Sequence, residues 1–449
     1  MLVLKFGGSS MADAGRILAS AHIVRQAHEH DPVTVVVSAM AGVTDALLSV
    51  ANMALAGKSG WRESLSEMEE RHQQTFHAIG GWVPDVFVLR WRMLLAEAEI
   101  LADSAHVTHG IGATTRSSRA ERFSGWGERL AVDLMAQALA VNGALTQAFA
   151  DEPVLLTGVR ATTHATEGTH DKALIVEGLP QPSILATRAT LVPRLALVIM
   201  RNGIPVLPGY IAHDSAGRAT TLGRNGSDHS AAVIAAALGA TGLYLYSDVA
   251  GLYTADPHVV PDAELLPMLT YSEAGEIAAL GARALHPGAV EPTSRWGIPL
   301  FLRSSLTPDA PGVDILPDSV ASDGAYERPE HWVVAARPLV ERPLYLAPDI
   351  TPTEASAGLV EVSATRLPSW PIQPVAARSA HVARGTLALY SDEVIHPLSV
   401  WSSPRQLRAV VSPDVSERTQ RVLHTALLRA VARDASKGDA RRYTVAAGE

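Results

Sequence analysis

The sequence predicts an α/β protein, a mainly parallel sheet sandwiched by helices, followed by a smaller α+β region. Three observations predict it. From residue 2 to about 305, apolar runs of strand length leave through Gly- and Ser-bearing turns into segments of helical period. Hydrophobic residues make up 47% of the chain but aromatics only 5%, so alanine and aliphatics fill the layers, as in helices packed on a sheet rather than a β-sandwich. After about residue 310 the chain turns rich in Pro, Ala and Ser, and short strands replace long helical periods. A boundary therefore falls near 305–330, giving domains over 1–305 and 306–449.

The elements follow in order. Residues 2–6 read as a strand and 13–29 as a helix, with Asp13 as N-cap and Ile17, Ala21 and Val24 on one face. VTVVVSAM holds a buried strand, and GVTDALLSVANMALA opens a second helix. Residues 60–106 carry two helical periods, RESLSEMEERHQQTFHAI and VFVLRWRMLLAEAEIL, expected as a hairpin in a helical insertion (60–125) over the sheet. RFSGWGERLAVDLMAQALAVNGA gives a further helix and ALTQAFA a strand. LVPRLALVIMRNG reads as a short helix with Pro193 near its start, where a missing N–H is harmless. Then IPVLPGYIA is a strand, RATTLGRNGSDHSAAVIAAALGA a loop entering a helix, LYLYSDVAGLYTADP a strand leaving through a turn, SEAGEIAALGARALHP a helix and IPLFLRSS a strand.

With 449 residues the chain is long enough for two or more domains with cores of their own. A formal net charge of −9 argues against nucleic acid or an anionic membrane as the main partner, and means that an anionic substrate needs a local basic cluster. The absence of cysteine excludes disulfides, thiolate catalysis and Cys-ligated metals. The opening apolar run is too short for a signal peptide and no run reaches membrane-spanning length, so a cytoplasmic protein is expected.

Chemistry concentrates in three turns. KFGGSS lies where a first strand meets a helix, the sheet edge where wound folds bind ligands. Its glycines allow backbone N–H groups close to a phosphate, and Lys5 adds a mobile cation. Neither GxxxxGK[ST] nor GxGxxG is present, and alone this is an ordinary tight turn. TTLGRNGSDHSAA repeats the pattern before another helix, so two glycine-bearing sites on one sheet suggest a polyphosphate held from both sides. Asp228 sits in that helix's first turn, as a cap or as the group that orients a lysine. YSDVAGLYTADPH leaves a strand with small and aromatic residues able to flank a base.

KFGGSS, SAMAGVTD, SGWGERL, TTLGRNGSDHSAA, SDVAGLYTADP and LGARALHP occur in the order and spacing of aspartate kinases, which the chain resembles over about 1–305. The resemblance implies the amino-acid kinase fold, with ATP and Mg2+ as cofactors and L-aspartate as acceptor, phosphorylated on its β-carboxylate. It implies Lys5 at the transferring phosphoryl group, with Gly7 and Gly8 lending N–H groups, and Asp228 holding the basic residues in place. Ser38 and Thr44 fall near substrate and phosphate. Glu128 matches the acid that receives the aspartate amino group, Arg224 the arginine that grips the α-carboxylate, and Ser227 a hydrogen bond beside it. Ser247, Asp248, Tyr253 and Asp256 match the nucleotide segment.

Three departures stand out. Arg283 replaces the usual lysine near ATP, His258 replaces an arginine on the nucleotide side, and Pro208-Gly209-Tyr210 replaces a QGF-like strand end. The proline deletes a donor, and Tyr210 brings a hydroxyl near the substrate.

The resemblance also implies ACT units after residue 306 and a homodimer through them. RPLYLAPDI, ASAGLVEVSATRLPSWPI and VARGTLALYSD read as strand, helix and later strand of one unit. RQLRAVVSPDVSERTQRVLHTALLRAV reads as the closing strand and helix of its pair, with 391–405 too short for a full unit. SWPIQPVAARS, where effector contacts fall, holds no carboxylate, so lysine feedback is expected to be weak or lost. Two alternatives stay open from sequence: a weakened or non-catalytic binding relic, and a kinase for another acidic amino acid.

Overall fold

The structure, a computed structural model, describes residues 1–104, 113–151, 155–158, 181–213, 219–223, 226–279 and 285–321. Beyond these it describes 331–338, 360–367, 399–402, 406–411, 414–425 and 427. Its elements in chain order are β1 (Leu2–Phe6), α1 (Ala14–His28), β2 (Val33–Val37), α2 (Val43–Leu55), α3 (Trp61–Gly80), α4 (Asp85–Asp103), α5 (Ala113–Ser124), α6 (Trp126–Val141) and β3 (Thr146–Ala148). Next come β4 (Thr157–Gly158), β5 (Gln181–Pro182), α7 (Ile184–Met200), β6 (Ile204–Pro208), β7 (Ile211–His213), β8 (Ala219–Thr221), α8 (Gly226–Leu238) and β9 (Gly242–Ser247). The remainder are β10 (Met268–Thr270), α9 (Tyr271–Ala279), α10 (Pro287–Trp296), β11 (Leu300–Ser304), β12 (Val313–Leu316), β13 (His331–Pro338), β14 (Val360–Leu367), β15 (Ser399–Ser402), β16 (Gln406–Val411) and a helix α11 over 414–425.

Two compact units result, residues 1–250 with 288–312, and 251–287 with 313–449. This partition is drawn differently from a division at residue 305, because 251–287 falls with the second unit.

In the first unit six strands run parallel in the order β11-β9-β1-β2-β6-β3. The register aligns Phe6 with Val37 and Tyr246, Val37 with Pro208, and Ser304 with Ser247. The carboxyl ends of five strands thus share one edge. The chain winds outward from β1 on one side and returns on the other through β9, so the switch point lies between β1 and β9.

Strand alternation divides β1 between two faces. Leu4 and Phe6 point into the core built with α1, α2, α3, α4 and α6, which also takes Val33, Val35 and Val37. Lys5 lies on the other face, where α8 packs against β1 and β9. Asp13 caps α1 as expected, its Oδ1 accepting the Arg16 N–H at 2.9 Å.

Three sequence expectations are corrected. The helix expected to begin near Pro193 starts at Ile184, where the Ser183 side chain accepts the Ala186 N–H, and Pro193 sits in its interior. Thr187, Leu191, Leu195 and Val198 form the stripe that buries it, and Pro193 lies on the opposite, exposed face. The expected strand 204–212 breaks after Pro208, because Tyr210 adopts a left-handed φ of 60°. Within 355–372, expected as a helix, residues 360–367 form β14, whose Val360, Val362 and Ala364 alternate along the strand with Val362 fully buried.

In the second unit β10 pairs parallel with β12, and β13-β14-β16-β15 form an antiparallel sheet. Thr270 and Glu273 close a reciprocal cap on α9, each side chain accepting the other's N–H. The expected strands over 342–350 and 382–392, and the effector segment 369–379, lie outside the described residues. Among the described residues no helix is long and apolar enough to cross a membrane.

Candidate active site

The turn after β1 is built by its own backbone. Ser10 and Met11 donate their N–H groups to Gly7 O at 3.0 and 3.1 Å, and Gly7 donates to Tyr246 O at 3.0 Å. The Gly7 N–H therefore extends the β1–β9 ladder, which leaves Gly8 as the glycine of the pair whose N–H this turn does not use. Gly8 also permits a close approach. A Cβ there would sit 3.4 Å from Ala39 O and 3.7 Å from Ala41 Cα, in the turn after β2. Ser38 opens that second turn by donating its N–H to Phe6 O at 3.0 Å, and Thr44 stands half-buried in the first turn of α2.

Lys5 is buried, and its Nζ meets Asp228 Oδ1 at 2.5 Å. Asp228 occupies the first turn of α8, where unpaired N–H groups and the helix dipole favour a negative charge. Lys5 Nζ also lies 3.4 Å from where a Gly7 Cβ would be, so the cation overhangs the glycine turn. An ammonium has three donors, and Asp228 holds it by one contact.

Glu128 enters from α6 and is 3% exposed. One oxygen accepts the Ala39 N–H at 3.3 Å, and the other has no partner among the described residues. Burial pushes this carboxyl from about 4.5 up to about 8, against the pull of the Ala39 N–H and the Lys5 charge. The helix can bring Glu128 so near because Gly127 lacks a side chain: a Cβ would come within 2.7 Å of Ala39 Cβ. A buried acid with an orphaned oxygen beside a cation is suited to an ammonium group.

Gly209 and Tyr210 form the opposite wall. Gly209 N–H donates to Val37 O at 2.8 Å, so the donor deleted by Pro208 is recovered one residue later. A Cβ on Gly209 would lie 2.7 Å from Ser227 Cβ, which seats Ser227 directly against this bend. Tyr210 is buried, its hydroxyl 3.2 Å from Ser124 Oγ. Burial holds that phenol above its usual range, more than Ser124 and Thr221 lower it, and Glu128 adds to the rise.

At the end of β9, Ser247 O accepts both the N–H (2.7 Å) and the hydroxyl (3.0 Å) of Ser305. Asp248 accepts the Ser9 hydroxyl at 3.1 Å, tying the β9 exit to the glycine turn.

Lys5, Gly7, Gly8, Ser38, Thr44, Glu128, Tyr210, Ser227, Asp228, Ser247 and Asp248 therefore belong to the first unit, around its strand carboxyl ends. Tyr253, Asp256 and His258 belong to the second, where Asp256 Oδ1 accepts the His258 N–H at 3.0 Å. Arg224 and Arg283 lie outside the described residues.

One participant escaped the sequence. Arg71 of α3 donates to Ala41 O at 2.9 Å and to Ala12 O at 3.0 Å, touching the segments that follow β1 and β2. Contacts to backbone carbonyls leave no motif, so no residue pattern marked it.

A family model described as the amino acid kinase family matches residues 1–304. The chain belongs to the amino acid kinase family. Among curated proteins it is 31% identical to lysine-sensitive aspartokinase 3 of Escherichia coli over 313 residues, 70% of this chain and 63% of that one. It is 29% identical to a bifunctional aspartokinase/homoserine dehydrogenase of Haemophilus influenzae over 334 residues, 72% of this chain and 37% of that protein. The matches thus span less than two thirds of either relative's length. Among solved structures, E. coli aspartokinase III in complex with aspartate and ADP superposes with a TM-score of 0.72 at 23% identity, covering 95% of this chain and 100% of that one. At that identity the likeness speaks to the fold, and it agrees with the α/β amino-acid kinase architecture expected from sequence.

Proposed function

We propose that this protein is an aspartate kinase, transferring the γ-phosphoryl group of MgATP to the β-carboxylate of L-aspartate to give 4-phospho-L-aspartate and ADP. The observation that carries it is the juxtaposition of the Lys5–Asp228 pair with the orphaned, buried oxygen of Glu128 at one sheet edge. Kinship with curated aspartokinases supports the same assignment.

A carboxylate nucleophile is already ionised at neutral pH, so the reaction asks for no general base. An oxygen of the aspartate β-carboxylate attacks the γ-phosphorus, and the bond from phosphorus to the β,γ-bridging oxygen breaks, leaving that oxygen on ADP. What remains is alignment and charge neutralisation. Lys5, aimed by Asp228, faces the phosphoryl oxygens, and Gly8 lets the backbone approach them. Glu128 takes the aspartate ammonium, releasing its own proton when it was bound. Arg224 grips the α-carboxylate in a fork, with Ser227 and Tyr210 beside it and Thr44 and Ser38 between acceptor and phosphate. Ser247 and Asp248 serve the nucleotide, and the resemblance assigns Tyr253, Asp256, His258 and Arg283 to it as well. Magnesium arrives with ATP as part of the substrate.

The catalytic domain spans 1–305, and 306–449 forms an ACT-like regulatory domain through which two chains pair in the cytoplasm. Its effector segment lacks the carboxylates that a lysine ammonium requires, so lysine inhibits weakly or not at all. A coupled ADP-release assay with MgATP and aspartate, glutamate or N-acetylglutamate, with and without lysine, tests the reaction, its acceptor and the lysine response. Turnover with aspartate and little response to lysine is expected. A preference for another acid, or no turnover above Lys5→Ala, would overturn the assignment.

A further inference from the structure

We propose that Arg71 is a positioning residue: it clips together the two turns that carry the phosphate-facing and acceptor-facing groups, and so sets their register. The role in turnover rests on the kinase assignment above, but the clip itself does not.

The geometry is specific. One guanidinium reaches two carbonyls, Ala12 O after β1 and Ala41 O after β2, at 3.0 and 2.9 Å. The turns touch where Gly8 faces Ala39 and Ala41, a contact with no side chain to lock it. Arg16 adds a third charge-assisted bond, from its Nη1 to Ser9 O at 2.9 Å, so outward carbonyls of the first turn are held by cations. A planar fork with five donors spans two acceptors in a fixed geometry, whereas a lysine ammonium is a point charge on a flexible stem and fixes neither.

The clip stands on a rigid mount. Next to Arg71, His72 is fully buried, its Nδ1 2.7 Å from Met68 O and its ring against Phe87 and Trp91 of α4. Phe76 packs edge-on against Phe87 at 4.9 Å. The helical insertion thereby gains a task beyond covering the sheet, because the base of Arg71 is fixed by aromatic packing remote from substrate. Displacement of one turn against the other by about 1 Å is enough to reduce turnover by roughly 10²-fold.

The test compares wild type, Arg71→Met and Arg71→Lys in two measurements on the full chain. Amide hydrogen exchange without substrate is expected to speed up at 7–13 and 38–43 in Arg71→Met, while α4 and β1 keep their protection. In steady-state assays kcat is expected to fall between about 10- and 100-fold. KM for aspartate should change by less than kcat, since Glu128 itself stays mounted on α6, with Arg71→Lys recovering part of kcat. Unchanged exchange at both turns in a folded variant overturns the clip. Faster exchange with unchanged kcat overturns the positioning role. If Arg71→Met does not fold, Arg71→Lys, which keeps the charge and loses the fork, is read by the same criteria. Wild-type chain without aspartate turnover counts against the kinase assignment alone, and the exchange result still decides the clip.

Discussion

Two groups of buried charges in the first unit are built from similar parts and end differently. Arg90 of α4 contacts Asp133 of α6 through Nη1, and Asp151, just past β3, through Nε at 2.9 Å and Nη2 at 2.8 Å. It joins the helical insertion to the sheet layer with three of its nitrogens engaged. Among the described residues Lys5 makes one contact, to Asp228, above a glycine turn and within range of a carboxyl that has an oxygen to spare. The Arg90 guanidinium is a closed joint, and the Lys5 ammonium is an open one. Burial raises the Asp133 carboxyl further than Arg90 lowers it, and its Oδ2 has no partner among the described residues, but its Oδ1 is held by a guanidinium already fixed at a second carboxylate. Glu128 is left raised to about 8, awaiting a cation from outside. A buried ion pair becomes a site when its cation has donors to spare.

The largest expected effect is Lys5→Ala, which should lower kcat by about 10³-fold or more while thermal unfolding stays close to wild type. Arg90→Ala should do the reverse. Stranding Asp133 costs about 3–5 kcal/mol of stability, read as a lowered denaturant midpoint, with kcat of the surviving folded protein near wild type. The contrast sharpens in double variants. Arg90→Met with Asp133→Leu should restore much of that stability, because a well-packed apolar pair can replace a buried ion pair. Lys5→Met with Asp228→Leu should fold and remain inactive. If the second double variant turned over, or the first folded but lost activity, the distinction between the two groups would fail.

A smaller effect concerns pH. Unfolded, the Glu128 carboxyl ionises near 4.5, and in the fold it keeps its proton to about 8. Between those values the unfolded chain has shed a proton that the folded chain retains, so stability declines as pH rises through that window. Glu128→Gln carries no such penalty. It should be more stable than wild type at pH 8, with the gap closing toward pH 4.5, in paired melts across that range. Because the ammonium of aspartate needs the ionised carboxylate, wild-type kcat/KM for aspartate should climb with pH up to about 8. In Glu128→Gln that slope should vanish and KM for aspartate should rise by about 10-fold or more.

Legibility in the sequence followed the range of the interactions. Continuous apolar runs and glycine turns announce β1, β2, β9 and β11, since run length and turn chemistry are local. Lys5, Glu128 and Asp228 were named because family motifs carry them, and the fold brings them to one edge. Pro193 suggests a helix start by its chemistry, whereas Ser183 and the buried stripe of α7 begin the helix nine residues earlier, at Ile184. The order of elements expected of an ACT unit puts a helix over 360–367, although Val360 and Val362 alternate as a strand. The left-handed bend at Tyr210 was invisible, since glycine is the usual residue there and a tyrosine gives no warning. Arg71 and Arg90 were equally silent, because their partners lie far away in sequence.

The most direct measurement is to trap the acyl phosphate itself. Incubating the protein with MgATP, aspartate and hydroxylamine converts any β-aspartyl phosphate to the hydroxamate, which is counted against ADP formed. One hydroxamate per ADP is expected for wild type, with Lys5→Ala reduced by about 10³-fold. ADP release without hydroxamate, or equal yield from the Lys5→Ala variant, would contradict the assignment of these residues to phosphoryl transfer onto a carboxylate.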